Sequence, residues 1–235
     1  MSISKNVATI KEQIKAAAIA AGRDPSEIKL CAATKMNDSE AVREAIRAGV
    51  DLCGENRVQE LTAKLSENAY DGVPIHFIGQ LQTNKVRQVV GKVSLIQSVD
   101  RMKLLQSIQD EAVRQGICQD ILLEINIGEE ASKGGFRKED IWEVLNVLPE
   151  MPNVRVKGLM AIPPISQNPG DNRKFFQEMC NLSVDITAKR SDNVCMEILS
   201  MGMSDDFADA IACGSTMIRV GTAIFGPRNY TKSHP

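Results

Sequence analysis

One lysine opens the chemical reading of this chain. Lys35 closes the run Leu30-Cys31-Ala32-Ala33-Thr34-Lys35, where small apolar residues give way to a primary amine. Desolvation lowers the pKa of an ammonium group and frees it to attack an aldehyde. A lysine at a strand end is ordinarily a solvated charge, so the packed run before it is what singles this one out. The second informative stretch runs from Gly214 to Gly226 and contains Arg219-Val220-Gly221-Thr222. Gly221 admits an anion close to the backbone and Thr222 adds a hydroxyl, a pattern suited to phosphate. Ser200-Met201-Gly202-Met203-Ser204 precedes another helix start and offers a further set of free N–H groups. These glycines read equally well as plain turn residues.

The elements that must position these groups alternate along the whole sequence. Short continuous apolar runs at 28–34, 51–55, 75–80, 95–99, 121–127, 154–162, 194–201 and 217–220 read as eight strands buried on both faces. Amphipathic stretches lie between them, at 40–48, 58–65, 84–90, 103–115, 139–148, 172–189 and 205–213. Asn37 with Glu40 resembles a capping box for the first of these, and Ser204 is the expected N-cap of the last, which stops at Gly214. An extra helix precedes the first strand, with Ile3, Val7, Ile10 and Ile14 on one face and a stop between Gly22 and Pro25. Eight β/α units imply a closed (β/α)8 TIM-type barrel; an open doubly wound sheet is the alternative, because periodicity does not reveal closure. Residues 1–235 read as one domain, with 231–235 as a disordered tail. In such a barrel the strands' C-terminal ends form the active face, which here would gather Lys35, Asn56, Gln80, Asp100, Asn126, Ser200 and Arg219.

Composition excludes several classes. Apolar residues make up 43% and charged residues 25%, which is ordinary for a globular protein, and the net charge of −2 gives no argument for nucleic acid or an anionic membrane. No apolar run reaches the roughly 18–20 residues that span a bilayer, and residues 1–22 lack the layout of a signal peptide. The six cysteines form no C-x-x-C pair, and Cys31, Cys53 and Cys195 sit in apolar runs, so a reducing, cytoplasmic setting is expected. With two histidines, His76 and His234, a Cys/His metal site is not expected.

Taken together the motifs are specific. They are Ala32-Ala33-Thr34-Lys35, Gly54-Glu55-Asn56-Arg57-Val58-Gln59-Glu60, the stretch from His76 to Lys85, Gly158-Leu159-Met160-Ala161, Ser200 to Phe207, and Ile218 to Gly226. The chain resembles, over nearly its whole length, the family of pyridoxal 5′-phosphate (PLP) binding proteins called the YggS, PROSC or PLP homeostasis family. That family is similar in fold to the barrel of alanine racemase, fold type III of the PLP proteins. The resemblance implies that Lys35 holds PLP as a Schiff base and that Arg219 bonds the pyridine nitrogen. A guanidinium has only donors, so it keeps that nitrogen unprotonated and weakens the ring as an electron sink. By the same resemblance Ser200, Met201, Gly221 and Thr222 hold the phosphate, and Asn56 lies near the ring or its 3-hydroxyl. His76 and Met160 are read as packing of the mouth. The loop 128–136 would be mobile beside the mouth, with Lys133 read as a solvated loop lysine.

One departure from alanine racemase matters most. That enzyme carries a second, β-rich domain and a tyrosine that pairs with the lysine. Here Tyr70 is expected far from any strand's C-terminal end, and Tyr230 lies in the tail. The reading is therefore a protein that carries or buffers PLP in vitamin B6 and amino-acid homeostasis, without efficient turnover of its own. The alternatives are a racemase-like PLP enzyme and a cofactor-free Schiff-base enzyme of the aldolase type. The implied partners are PLP itself and PLP-dependent apoenzymes as recipients; a monomer is expected, with a dimer as the alternative.

Overall fold

The computed structural model describes residues 2–166, 168–189 and 192–227; the tail at 231–235 and Tyr230 lie outside them. Eight parallel strands close on themselves in sequence order: β1 (Lys29–Ala33), β2 (Leu52–Glu55), β3 (Ile75–Phe77), β4 (Leu95–Val99), β5 (Gln119–Ile125), β6 (Val154–Ala161), β7 (Val194–Ser200) and β8 (Met217–Val220). Pairing of β1 with β8, Cys31 opposite Arg219, seals the barrel and removes both sheet edges. The open-sheet alternative is thereby set aside.

The outer ring comprises α1 (Ile3–Ala20), α2 (Ser39–Arg47), α3 (Val58–Ser66), α4 (Met102–Gln115), α5 (Ile141–Val147), α6 (Arg173–Ala188), α7 (Phe207–Ala212) and α8 (Thr222–Phe225). Alternation along each strand divides the side chains between two environments. Leu30, Ala32 and Cys53 face the helices and join the main core, whereas Cys31, Leu52 and Met217 pack together inside the barrel. Leu95, Leu122 and Met160 form a second group there, and Ile198 touches both.

Several expected boundaries shift for local reasons. Asp38, not Asn37, caps α2, its carboxylate accepting from the Ala41 N–H at 2.9 Å. Ser204 does not cap α7: Asp206 stands at that position and accepts from the Met203 N–H at 2.7 Å, so the helix begins at Phe207. The segment expected as helix at 84–90 is a 3-10 helix over Thr83–Gln88. β3 ends at Phe77 because the chain then turns against β2. At Gly79 a side chain is impossible, since a Cβ would lie 2.1 Å from the Asn56 carbonyl oxygen. α8, a four-residue helix directly after β8, has no counterpart in the periodicity.

α1 fills the ring between its two ends. Val7, Ile10, Ile14 and Ala18 are buried, and its neighbours are α7, α8 and α2. Asn6 Nδ2 donates to the Ile224 carbonyl at 2.8 Å, tying α1 to α8. No helix among the described residues is long and apolar enough to cross a membrane.

Candidate functional site

Register brings the predicted residues to one mouth. Ala33 pairs with Gly54 on β2, and Cys31 pairs with Arg219 on β8. Moving two residues toward the C-terminal rim on each strand sets Lys35 beside Asn56 on one side, with Gly221 beside Ala33 on the other. Contact supports that register: a Cβ on Gly221 would meet Ala33 at 3.5 Å. Lys35 is partly buried, two positions beyond Ala33 on the inward-facing parity.

Arg219 is the fixed centre of this mouth. Its guanidinium donates from Nη1 to the Ser200 carbonyl at 2.8 Å and to Ser200 Oγ at 2.6 Å, and from Nη2 to the Ala161 carbonyl at 2.8 Å. Burial pulls its pKa below the ordinary value, and the nearby carboxyl groups of Glu124 and Asp206 oppose this. Beneath it runs a buried polar chain. Ser200 Oγ donates to Gln97 Oε1 at 2.7 Å, and Gln97 Nε2 lies 2.8 Å from His76 Nδ1. Burial alone pulls the His76 imidazole down to about 4, so it is neutral at physiological pH. His76 and Met160 are thus both interior side chains, in keeping with a packing role.

Two of the four predicted phosphate contacts are otherwise engaged. The Met201 N–H donates to the Met217 carbonyl at 3.1 Å, and its side chain is buried in the main core. The Ser200 hydroxyl is committed to Gln97 and Arg219. Gly221 and Thr222 stand at the start of α8, where first-turn N–H groups have no acceptor within a helix. Of the other strand-end groups, Gln80 is exposed, and Asn126 staples its own loop by donating to the Glu130 carbonyl at 2.9 Å. Lys133 is not freely solvated: it pairs with Glu130 and donates to the Pro163 carbonyl at 3.2 Å.

Three features escaped the sequence reading. Glu124 lies on the inward parity of β5, opposite Met160. Burial pushes its carboxyl up to about 7; the Asp100 charge adds to this and Arg219 opposes it. A charge in mid-strand, in Leu122-Leu123-Glu124-Ile125, was the available signal. The second is a fully buried carboxylate behind the mouth, Glu55, which accepts from Lys64 Nζ at 2.7 Å, Thr34 Oγ1 at 2.9 Å and Tyr70 at 3.2 Å. Tyr70, expected far from any strand end, therefore sits at the end of β2, but on its helix-facing side. The segment after α3 folds back over the strand and carries it there. Third, Asn56 Oδ1 is buried and has no hydrogen-bond partner. An unpaired buried acceptor is costly, and a ligand bearing an O–H or N–H donor would satisfy it. A ring with a hydroxyl, an aldehyde and an acceptor nitrogen fits this donor set. Among the described residues no group of His, Cys, Asp and Glu is arranged to hold a metal ion.

Barrel and mouth together define a closed (β/α)8 barrel with Lys35 just beyond the first strand and Arg219 on the last. Residues 3–229 match the family described as alanine racemase, N-terminal domain. A pyridoxal phosphate homeostasis protein of Aquifex aeolicus is 42% identical over 98% of this chain and 100% of its own. The protein of that name from Escherichia coli K12 is 38% identical over 98% of each chain. The structure of PipY from Synechococcus elongatus with PLP bound superposes with a TM-score of 0.83 at 30% identity, over 96% of this chain and all of that one. Alanine racemase of Clostridium difficile shares the fold, with a TM-score of 0.70 at 15% identity, over 97% of this chain and 58% of its own. The chain belongs to the alanine racemase N-terminal domain family, in the branch of the pyridoxal phosphate homeostasis proteins.

Proposed function

We propose that this chain binds PLP at the barrel mouth and serves vitamin B6 homeostasis by holding and releasing it. PLP supplies an aldehyde, which condenses with an amine and releases water, on a ring that withdraws electrons. Lys35 Nζ is that amine and forms the Schiff base. Arg219, held by Ser200 and Ala161, directs an N–H toward the ring nitrogen and keeps it unprotonated. Asn56 Oδ1 accepts from the 3-hydroxyl. Gly221 and Thr222 grip the phosphate through main-chain N–H groups at the head of α8, with Ser200 and Met201 framing the neighbouring strand end. The observation that carries this reading is the unpaired, buried Asn56 Oδ1 beside Lys35, an acceptor in want of a donor.

The same reading makes the protein a carrier without efficient turnover. Tyr70 points to Glu55 behind β2, away from Lys35, which leaves the mouth without a tyrosine from that segment to act as a second base. The relatives' names speak for a homeostatic role as well. We further propose that residues 1–235 act as one barrel unit in the cytoplasm, as a monomer, with PLP-dependent apoenzymes as recipients.

An absorption titration tests the binding. Added PLP gives wild type a visible band, and borohydride fixes the label on Lys35; Lys35→Ala shows neither. A wild type that ignores PLP, or a label on another lysine, overturns the reading. Incubation in D2O with amino acids tests the carrier role: Cα exchange well above that caused by free PLP would make the chain an enzyme.

A further inference from the structure

Lys35 is followed by a residue in an uncommon conformation. Met36 has φ of 62°, the left-handed region, although it is not glycine and carries a long side chain. That conformation is costly for an ordinary residue and persists only where its surroundings enforce it. The enforcing groups are visible. Glu60 Oε2 accepts from the Met36 N–H at 2.6 Å. Lys64 Nζ donates to the Thr34 carbonyl at 2.8 Å, and also to Glu60 Oε2 at 3.3 Å and Glu55 Oε2 at 2.7 Å. Both peptide groups that flank Lys35 are therefore pinned, one by its carbonyl and the other by its N–H. The same carboxylate of Glu55 accepts from the Asn56 N–H at 2.8 Å through its other oxygen. One connected chain of charges, lying between the strands and α3, thus fixes the backbone beneath both Lys35 and Asn56.

We infer that Glu55, Lys64 and Glu60 form a backbone clamp that aims Lys35 and Asn56 at the ligand, with Glu60 and Lys64 as positioning residues that never touch it. This inference rests on the reading of Lys35 as the PLP amine. The strain at Met36 gives it a direction: the chain holds a costly turn because that turn presents the amine into the mouth. Lys64 has no freedom to join the chemistry itself, because it is buried against three oxygens on the far side of the strand.

The test uses Glu60, which is partly exposed, so that its loss leaves the core intact. In Glu60→Ala the Met36 N–H loses its acceptor and the left-handed turn relaxes. PLP affinity, read by absorbance titration of the cofactor-free protein, should fall about tenfold, the equivalent of the conformational cost. The melting temperature should move little. Adding Met36→Gly to that variant should restore affinity, because glycine adopts this φ without penalty. Rescue separates positioning from general support, which Met36→Gly would not repair. Unchanged affinity in Glu60→Ala, or a loss that Met36→Gly leaves in place, overturns the clamp. Borohydride labelling of wild type is run alongside: a label away from Lys35 overturns the parent reading instead, so the two failures are distinguishable.

Discussion

Replacing Glu124 by glutamine should change how stability depends on pH, and the structure sets both sign and size. The carboxyl moves from an ordinary 4.5 to about 7 on folding. Below pH 4.5 it is protonated in both states and contributes nothing. Between 4.5 and 7 the unfolded chain ionises while the folded chain keeps its proton, so stability falls as pH rises. The full loss, reached above pH 7, is about 3 kcal/mol at about 1.4 kcal/mol per pH unit. His76 works in the opposite sense. Its imidazole falls from 6.5 to about 4, so stability is lost as pH drops from 6.5 toward 4. The two slopes nearly cancel between pH 4.5 and 6.5 in the wild type, and single variants uncover them. Urea unfolding of cofactor-free protein from pH 4 to 8.5 measures the effect. Relative to wild type, Glu124→Gln should gain nothing at pH 4 and about 3 kcal/mol above pH 7. A gain that does not vary with pH would refute the argument, since it would mean that Glu124 ionises as freely inside the barrel as in the unfolded chain.

Other outcomes follow from particular contacts. Lys64→Met leaves the fully buried Glu55 without its cation and should cost about 3–5 kcal/mol by chemical denaturation, with Glu55→Gln in the same chain recovering much of it. Gly158→Ala should prevent stable folding, because a Cβ there would lie 1.8 Å from the Ile198 carbonyl at a φ of 150°; soluble expression with a wild-type melt would contradict this. Arg219→Lys surrenders the fork that reaches both Ser200 and Ala161, so PLP affinity should drop at least tenfold in an absorbance titration. Gly79→Ala displaces the Asn56 backbone and should weaken PLP binding as well as stability, read by the same titration and a thermal melt.

The barrel was legible in the sequence because strands buried on both faces leave continuous apolar runs, and each of the eight lies within a residue or a few of its expected place. Closure was not legible, since it depends on β1 meeting β8 across most of the chain. Lys35 was legible because it closes a run, and Arg219, inside β8, because the glycine-bearing stretch 214–226 and the family resemblance single it out. Glu124 also lies inside a run and had no such second signal. Lys64 looked like any lysine on an amphipathic helix, and only the turn toward Thr34 and Glu55 shows that it points inward. Parity along the strands, applied to charged as well as apolar positions, would have found Glu124. No local pattern would have found the clamp, whose members come from β2 and α3 and hold the segment after β1.

The tie between α1 and α8 bears on how the chain is made. Asn6 and its acceptor Ile224 are 218 positions apart, so α1 is synthesised long before the residues that tie it to α8. The apolar face of Val7, Ile10, Ile14 and Ala18 belongs to a helix that has α2 as an early neighbour but meets α7 and α8 only late, and contacts of such long sequence separation form slowly. A nascent chain halted before α7 would leave much of that face to chaperones, and full protection of α1 from proteolysis should arrive only once α7 and α8 have been made.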